Sequence, residues 1–166
     1  KAKEVALRGA KKVVTRVFAE WAKRFGRKYS VVETYRAKGA DTLMLTMGSM
    51  GETAAVAVDE LRKAGRKVGL VKLRLWRPFP VEELKAALSE CKTLIVMDRA
   101  LSTGGAGGPV ATDVKSVLYG EKKKPRVLNV IAGLGGRDLT VQDFMAMFDL
   151  AKKKKDEIFE FYGVRE

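Results

Sequence analysis

The first apolar pattern along the chain is helical. Between residues 10 and 25 the apolar side chains recur at the spacing i, i+3, i+4, i+7 and i+11, at Val14, Val17, Phe18, Trp21 and Phe25. Gly26 follows as a helix stop. The pattern predicts an amphipathic helix whose aromatic stripe packs against the rest of the domain, or against a neighbouring domain outside this chain.

Short apolar runs then alternate with helical patterns. They predict strands at 30–35, 42–47, 68–75, 93–98 and 126–131, and helices at 52–64, 81–89, 109–118 and 141–151. Residues 152–162 are predicted to continue the last helix. This alternation predicts an α/β fold with a mostly parallel sheet and helices on both faces. We expect a basic helical extension (1–27), one α/β domain (28–152) and a helical tail (153–166).

Length and composition set the class of protein. The chain has 166 residues, the size of one domain, and no apolar run near the roughly 20 residues of a membrane helix. No signal peptide is visible, and a lone cysteine, Cys91, cannot form an internal disulfide. We therefore expect a cytoplasmic protein with no membrane partner. Because residue 1 is lysine, we also expect a piece of a longer polypeptide.

Missing residue types limit the chemistry. The chain has no histidine, so it lacks the commonest general base and metal ligand, and one cysteine cannot hold zinc or an iron–sulfur cluster. No P-loop and no dinucleotide fingerprint is present. We expect no catalytic, cofactor-binding or metal-binding residue, and an independent enzyme is disfavoured.

The net charge of +13 is concentrated near the N-terminus. Residues 1–40 hold twelve Lys and Arg against three Asp and Glu. Such a face attracts nucleic acid, an acidic protein or an anionic cofactor, or it is a solvated helix face whose charge a larger assembly balances. No aromatic side chains interleave with the charges in the way that base stacking requires, so nucleic acid is disfavoured.

Loops at the carboxyl ends of the strands supply the candidate contact residues. Gly48 and Ser49 join a strand to a helix as in a phosphate loop, but Ser49 and Glu52 also fit a capping box, which we favour. In the link 76–80, prolines aim Arg77 and Phe79 either as contacts or as a rigid loop.

Two glycine-rich loops complete this set. Residues 98–108 begin with Asp98 and Arg99 and contain Gly104 and Gly105; so many glycines favour an interface or substrate-side role, although Asp98 and Arg99 can also pair with each other. In residues 133–138, Arg137 and Asp138 can pair with each other. Thr140 can cap the next helix.

An ordered set of these motifs resembles the pyruvate:ferredoxin oxidoreductase family. The motifs are Tyr35-Arg36, 47–49, 67–80, Asp98-Arg99 with its glycine loop, and 133–138, all within about residues 28–143. The similarity is to the second domain of the α subunit, which is similar to the C-terminal domain of transketolase. It implies a three-layer α/β/α fold with a five-stranded mixed sheet in the order 1-3-2-4-5, the first strand being antiparallel.

The resemblance also implies a function. The family oxidatively decarboxylates a 2-oxoacid to an acyl-coenzyme A with thiamin diphosphate, Mg²⁺ and iron–sulfur clusters, and reduces ferredoxin or flavodoxin. The residues for these cofactors belong to other domains or subunits of the family, so none is carried over to this chain. The implied role is to pack against the pyrimidine-binding domain and partner subunits. The alternatives are a basic binding module for nucleic acid or protein, and the equivalent domain of a transketolase or 2-oxoacid dehydrogenase.

Overall fold

The computed structural model describes residues 1–153 and 158–165. The elements in chain order are α1 (Ala2–Phe25), β1 (Val32–Tyr35), β2 (Thr42–Met47), α2 (Met50–Lys63), β3 (Val68–Leu73), α3 (Val81–Ala87), β4 (Thr93–Asp98), α4 (Pro109–Leu118), β5 (Arg126–Ala132), a 3₁₀ turn (Leu134–Gly136), α5 (Val141–Lys153) and β6 (Glu160–Tyr162). All the strands and helices predicted up to residue 151 are present. Their ends are shifted by up to about two residues, except that α1 begins eight residues before the predicted start at residue 10.

The strands form one sheet in the order β1-β3-β2-β4-β5-β6. β1 runs antiparallel to β3, and the other neighbouring pairs are parallel. The predicted order 1-3-2-4-5 and the antiparallel first strand are confirmed. The predicted count of five strands is one too low, because β6 adds a strand beside β5.

Apolar side chains on both faces of the sheet hold three layers together. One face packs against α2 and α5, with Phe144 and Phe148 among the largest buried side chains. The other face packs against α3 and α4, with Leu84 and Val114 fully buried. A central parallel strand is covered on both faces, which explains why β2 and β4 are continuous apolar runs rather than alternating ones.

The tail departs from the prediction. Glu160–Tyr162 is a strand parallel to β5, so a continued helix is wrong at these residues, while 154–157 and 166 lie outside the described part. Phe161 pairs with Ile131 in the register. The physical reason is that β5 would otherwise be an edge strand with unpaired backbone groups, and aromatic residues suit a strand that covers it.

Helix α1 is longer than predicted and largely solvent-exposed. It contains no buried residue, and it is held to the domain by an ion pair from Lys11 Nζ to Glu83 at 2.9 Å and by the rings of Phe18 and Tyr29 at 6.0 Å. Trp21 and Phe25 are exposed, so packing of the whole stripe against the rest of this domain is wrong. No described helix is both long and apolar enough to cross a bilayer, since α1 carries nine charged side chains.

Candidate functional site

The loops that follow β2, β3, β4 and β5 meet where these parallel strands end. We call this region the carboxyl-end surface and define it by residues 47–52, 76–80, 98–108 and 133–138. Open α/β sheets bind ligands and partners at such an edge. All ten candidate contact residues from the sequence lie in these four loops.

The first loop, 47–52, lacks the side-chain capping bonds that the sequence predicted. Ser49 is the N-cap of α2 but makes no side-chain capping hydrogen bond, so the capping box of Ser49 with Glu52 is wrong. Glu52 instead forms an ion pair with Lys72 Nζ at 2.8 Å. The hydrogen bond from Lys72 lowers the pKa of Glu52. Together with Gly48 and Arg74, this pair lines an open cleft of about 240 Å³.

The second loop, 76–80, is tied to α4 through one carboxylate. Asp113 Oδ2 accepts a hydrogen bond from Trp76 Nε1 at 2.8 Å and an ion pair from Arg77 Nη2 at 2.8 Å. The Arg77 guanidinium also lies over the Trp76 ring, 4.5 Å from its centroid. Phe79 packs, half-buried, against the core on the α3 and α4 face. Arg77 therefore has an internal partner while about half of its side chain stays exposed.

The third loop, 98–108, starts from a buried carboxylate. Asp98 is 3% exposed and accepts hydrogen bonds from the backbone N–H groups of Val110 at 3.0 Å and Ala111 at 3.1 Å. It also accepts one from Asn129 Nδ2 at 3.1 Å. Burial raises the pKa of Asp98, and these hydrogen bonds offset part of that effect. Asp98 thus caps α4 from the preceding strand and shows no bond to Arg99.

Asn129 in β5 completes this network and was not among the sequence candidates. It is fully buried, donates to Val96 O at 3.0 Å and accepts from Gly108 N at 2.7 Å. A Cβ on Gly108 would lie 2.2 Å from Asp98 Oδ2, which explains why this position is glycine. The available signal was a single amide residue inside the otherwise apolar run of 127–132.

The fourth loop, 133–138, is connected to the third. Arg99 donates to Gly133 O from Nε at 3.4 Å and from Nη2 at 3.3 Å. Arg137 donates through Nη1 to Gly163 O, which links this loop to the end of β6, and Asp138 is exposed. In the described part of the chain Arg137 and Asp138 are not bonded to each other, so the arginine has a different partner from the one that the sequence suggested.

Thr140 caps α5, as the sequence predicted. Asp143 Oδ2 accepts from Thr140 N and from Thr140 Oγ1, both at 2.7 Å, and Asp143 N donates to Thr140 Oγ1 at 3.3 Å. This is a reciprocal capping box with an aspartate in the third position. The backbone hydrogen bond from Thr140 is the main cause that lowers the pKa of Asp143.

Chemically reactive groups are few at this surface. Among residues 1–153 and 158–165, no three His, Cys, Asp or Glu side chains are grouped closely enough to hold a metal ion. Cys91 is buried away from these loops, and burial raises its pKa to about 11, so the thiol stays protonated near neutral pH. The hydrogen bonds of the arginine, carboxylate and side-chain amide groups at this surface fix the conformations of the loops.

Residues 40–144 of the chain match the family profile described as pyruvate:ferredoxin oxidoreductase core domain II. The chain is 41% identical over 166 residues to pyruvate synthase subunit PorA of Pyrococcus abyssi, covering 97% of this chain and 42% of that protein. It is also 42% identical over 162 residues to ketoisovalerate oxidoreductase subunit VorA of Pyrococcus horikoshii, covering 94% of this chain and 41% of the relative. The chain thus spans about two fifths of the length of these relatives.

Among solved structures, a split-gene transketolase is similar to this chain with a TM-score of 0.56. The similarity covers 79% of this chain and 46% of the transketolase chain at 19% identity. At this level of identity the similarity concerns the fold alone. It confirms that the α/β domain is transketolase-like, as the sequence motifs implied.

Proposed function

The chain belongs to the pyruvate:ferredoxin oxidoreductase family, as the part of an α subunit that contains core domain II, and we propose that it serves there as a non-catalytic assembly domain. The parent enzyme that we propose converts a 2-oxoacid into an acyl-coenzyme A and passes the electrons to ferredoxin or flavodoxin. Pyruvate is the proposed 2-oxoacid because the PorA relatives are named pyruvate synthase subunits. The VorA relative, at 42% identity, is the reason that this choice needs a direct test.

The cofactors proposed for the parent enzyme are thiamin diphosphate, Mg²⁺, iron–sulfur clusters and coenzyme A. The described residues of this chain do not fit the metal-containing ones, because they present no metal-binding group and only one thiol, which is buried. Thiamin diphosphate supplies, in the parent enzyme, the chemistry that breaks the bond to the carboxyl group of the 2-oxoacid. We therefore assign no step of that reaction to residues of this chain.

One observation carries the proposal of an assembly role. Three polar side chains of the carboxyl-end surface are bonded within the chain: Asp98 to α4, Arg99 to Gly133, and Arg77 to Asp113. Such bonds fix the backbone of loops that would otherwise be mobile because of their glycines. A surface held in this way suits docking against the pyrimidine-binding domain and the other subunits, since little ordering cost remains to be met on assembly.

The alternatives are not favoured. A nucleic-acid-binding module would leave the 41% identity to an oxidoreductase subunit over 97% of this chain unexplained. A transketolase is only 19% identical and shares the fold alone.

The first test of the proposal is a calorimetric titration of the isolated 166-residue chain with thiamin diphosphate and Mg²⁺. We expect no binding in the micromolar range and no turnover of pyruvate. A dissociation constant of about 1 μM, equivalent to about −8 kcal/mol, would contradict the non-catalytic role. Pyruvate and 2-oxoisovalerate supplied to the complete enzyme would show which 2-oxoacid it prefers.

The second test changes the carboxyl-end surface in the complete enzyme. Arg77→Ala and Arg99→Ala are expected to weaken subunit assembly or acyl transfer. They should alter the stability of the chain by only about 1 kcal/mol or less, because both side chains are partly exposed. Lys63→Ala is the matched control, since Lys63 is an exposed, ion-paired cation at the end of α2 away from this surface. Normal assembly and full activity in both arginine variants would leave these loops as internal scaffolding only.

A further inference from the structure

An exposed apolar ridge runs along α1. It consists of four side chains at intervals of four residues, with these exposed fractions: Val13 49%, Val17 47%, Trp21 43% and Phe25 58%. Residues at i and i+4 lie on one side of a helix, so the four form a continuous ridge over about three turns. The rings of Trp21 and Phe25 are in contact, with centroids 4.2 Å apart and planes tilted by 39°, which makes a broad apolar end. We call this set the α1 ridge.

The contacts of α1 with the domain leave the ridge free. Lys11 and Phe18, which hold the helix to Glu83 and Tyr29, lie next to the ridge on the same apolar stripe. Val14, beside Phe18 in the adjacent row, is half-buried. The ridge places one tryptophan ring, one phenylalanine ring and two valines in one line, whereas exposed apolar residues on an ordinary surface are scattered singly. A contiguous apolar patch of this kind marks an interaction site.

We propose that the α1 ridge docks into an apolar groove, rimmed by acidic side chains, on the part of the same α subunit that this chain does not include. The inference rests on the proposed function, because it names the surface through which the assembly domain meets the rest of its subunit. Three observations identify this occupant in preference to a second copy or a lipid surface.

The first observation is the extent of the similarity. The PorA relative matches 97% of this chain, so the match extends over α1, whereas the profile of core domain II begins only at residue 40. The helix therefore belongs to the part matched by the PorA relative but lies outside the residues matched by the profile. Only 42% of the relative's length is matched, so more than half of such a subunit remains as a covalently linked partner. Linkage raises the effective concentration of a partner to the millimolar range.

The second observation is charge. Residues 1–28 carry ten Lys and Arg side chains and two Glu side chains. Arg24 follows Trp21 by three residues and so lies beside the ridge on the next turn. Two copies of this helix would repel each other, which disfavours self-association. A groove rimmed by Asp and Glu would instead be electrostatically complementary.

The third observation is the make-up of the ridge. Aromatic side chains with charged residues around them, such as Trp21 and Phe25 with Lys23 and Arg24, are typical of the core and rim of a protein interface. An amphipathic helix that lays anchors at i, i+4 and i+8 into a groove is a common mode of recognition between proteins. The ridge has the anchors for that mode at Val17, Trp21 and Phe25.

The test uses the complete enzyme and the 166-residue chain side by side. Position 17 is replaced by the photoreactive residue p-benzoylphenylalanine, the enzyme is irradiated, and the cross-linked peptides are identified by mass spectrometry. We expect cross-links to the α subunit outside the stretch matched by this chain. Cross-links to a second copy of α1, to a different subunit or to no protein would overturn the proposal.

Hydrogen exchange gives the quantitative arm. In the complete enzyme, the amides of residues 13–25 should exchange at least about tenfold more slowly than in the isolated chain. Trp21→Ser and Val17→Ser should weaken the docking equilibrium by about 30-fold and tenfold, as expected for anchor residues, and the exchange rates of residues 13–25 should move towards those of the isolated chain. Val5→Ser is the matched control, because Val5 is an exposed valine of α1 that lies off the ridge, and it should keep the protection.

The outcomes separate the inference from the proposed function. Equal exchange in enzyme and chain, with the enzyme assembled and active, would overturn the docking of α1 and leave the assembly role of the carboxyl-end surface intact. Thiamin diphosphate binding by the isolated chain would contradict the non-catalytic role whatever α1 does. Protection of α1 in the isolated chain on adding vesicles of phosphatidylcholine and phosphatidylserine, absent in Trp21→Ser, would assign the ridge to a lipid surface and overturn the proposal.

Discussion

Replacing Asp98 by alanine is the most informative single change in this chain. Asp98 is buried, and its two oxygens accept three hydrogen bonds from Val110 N, Ala111 N and Asn129 Nδ2. The two backbone groups belong to the first turn of α4, where no partner exists within the helix. The substitution Asp98→Ala therefore leaves two buried N–H groups without an acceptor.

The expected cost follows from these contacts. An orphaned buried donor costs about 1–3 kcal/mol, and loss of a side-chain helix cap costs about 0.5–2 kcal/mol, which is partly the same energy. Burial of the charged carboxylate is itself unfavourable, as the raised pKa of Asp98 indicates. Removing the carboxylate removes this cost and so offsets part of the loss in stability. Asn129 Nδ2 keeps its bond to Val96 O and adds little. We expect a loss of about 3 kcal/mol in the free energy of unfolding.

The assay is thermal and urea unfolding followed by circular dichroism. For a domain of this size, about 3 kcal/mol lowers Tm by about 9 °C. Asp138→Ala is the control, because Asp138 is an exposed carboxylate in the adjacent loop, and it should change stability by less than about 0.5 kcal/mol. Asn129→Ala should lower the free energy of unfolding by about 2 kcal/mol. The double variant of Asp98 and Asn129 should lose about 1 kcal/mol less than the sum of the two single losses, since the two residues share a hydrogen bond. Equal Tm values for Asp98→Ala and Asp138→Ala would refute the reasoning.

Two further predictions concern titratable groups. Asp143→Ala should cost about 1 kcal/mol at pH 7 by removing the α5 cap. Because the Thr140 hydrogen bond lowers the pKa of Asp143, this contribution is complete above the ordinary carboxyl pKa of about 4 and is lost as the pH falls through the folded-state value. The Tm difference between wild type and variant should therefore shrink below pH 4, and a constant difference would contradict it. Cys91, whose pKa burial raises to about 11, should react with a thiol reagent at pH 8 only as fast as the domain opens; rapid labelling of the native chain would contradict its burial.

The sequence determined the elements and most of the sheet. Apolar periodicity is a local property, so α2, α4 and the strands β2 and β4 were predicted from short stretches of residues. The strand order came from the family resemblance, because the pairing of β1 with β3 joins residues nearly forty positions apart and no local pattern encodes it. The cap of α5 by Thr140 was also predictable, since its partner is three residues away.

The tertiary structure decided where polar side chains find partners. The sequence offered Arg99 as a partner for Asp98 and Asp138 as a partner for Arg137, because neighbours are all that a sequence displays. In the fold, Asp98 instead accepts hydrogen bonds from the start of α4 and from Asn129, and Arg99 donates to Gly133 O. These contacts form because the neighbouring parallel strands β4 and β5 end side by side. A hydrogen bond depends on distance in space, and sheet formation sets that distance.

Burial of the α1 stripe and the form of the tail were likewise decided by tertiary contacts. The i, i+4 spacing of Val17, Trp21 and Phe25 fixes that they share a side of a helix, but not what covers that side. The aromatic residues of 159–162 fit a helix or a strand equally well in isolation. An open edge at β5 selects the strand, because its backbone N–H and C=O groups need partners that only another chain segment supplies.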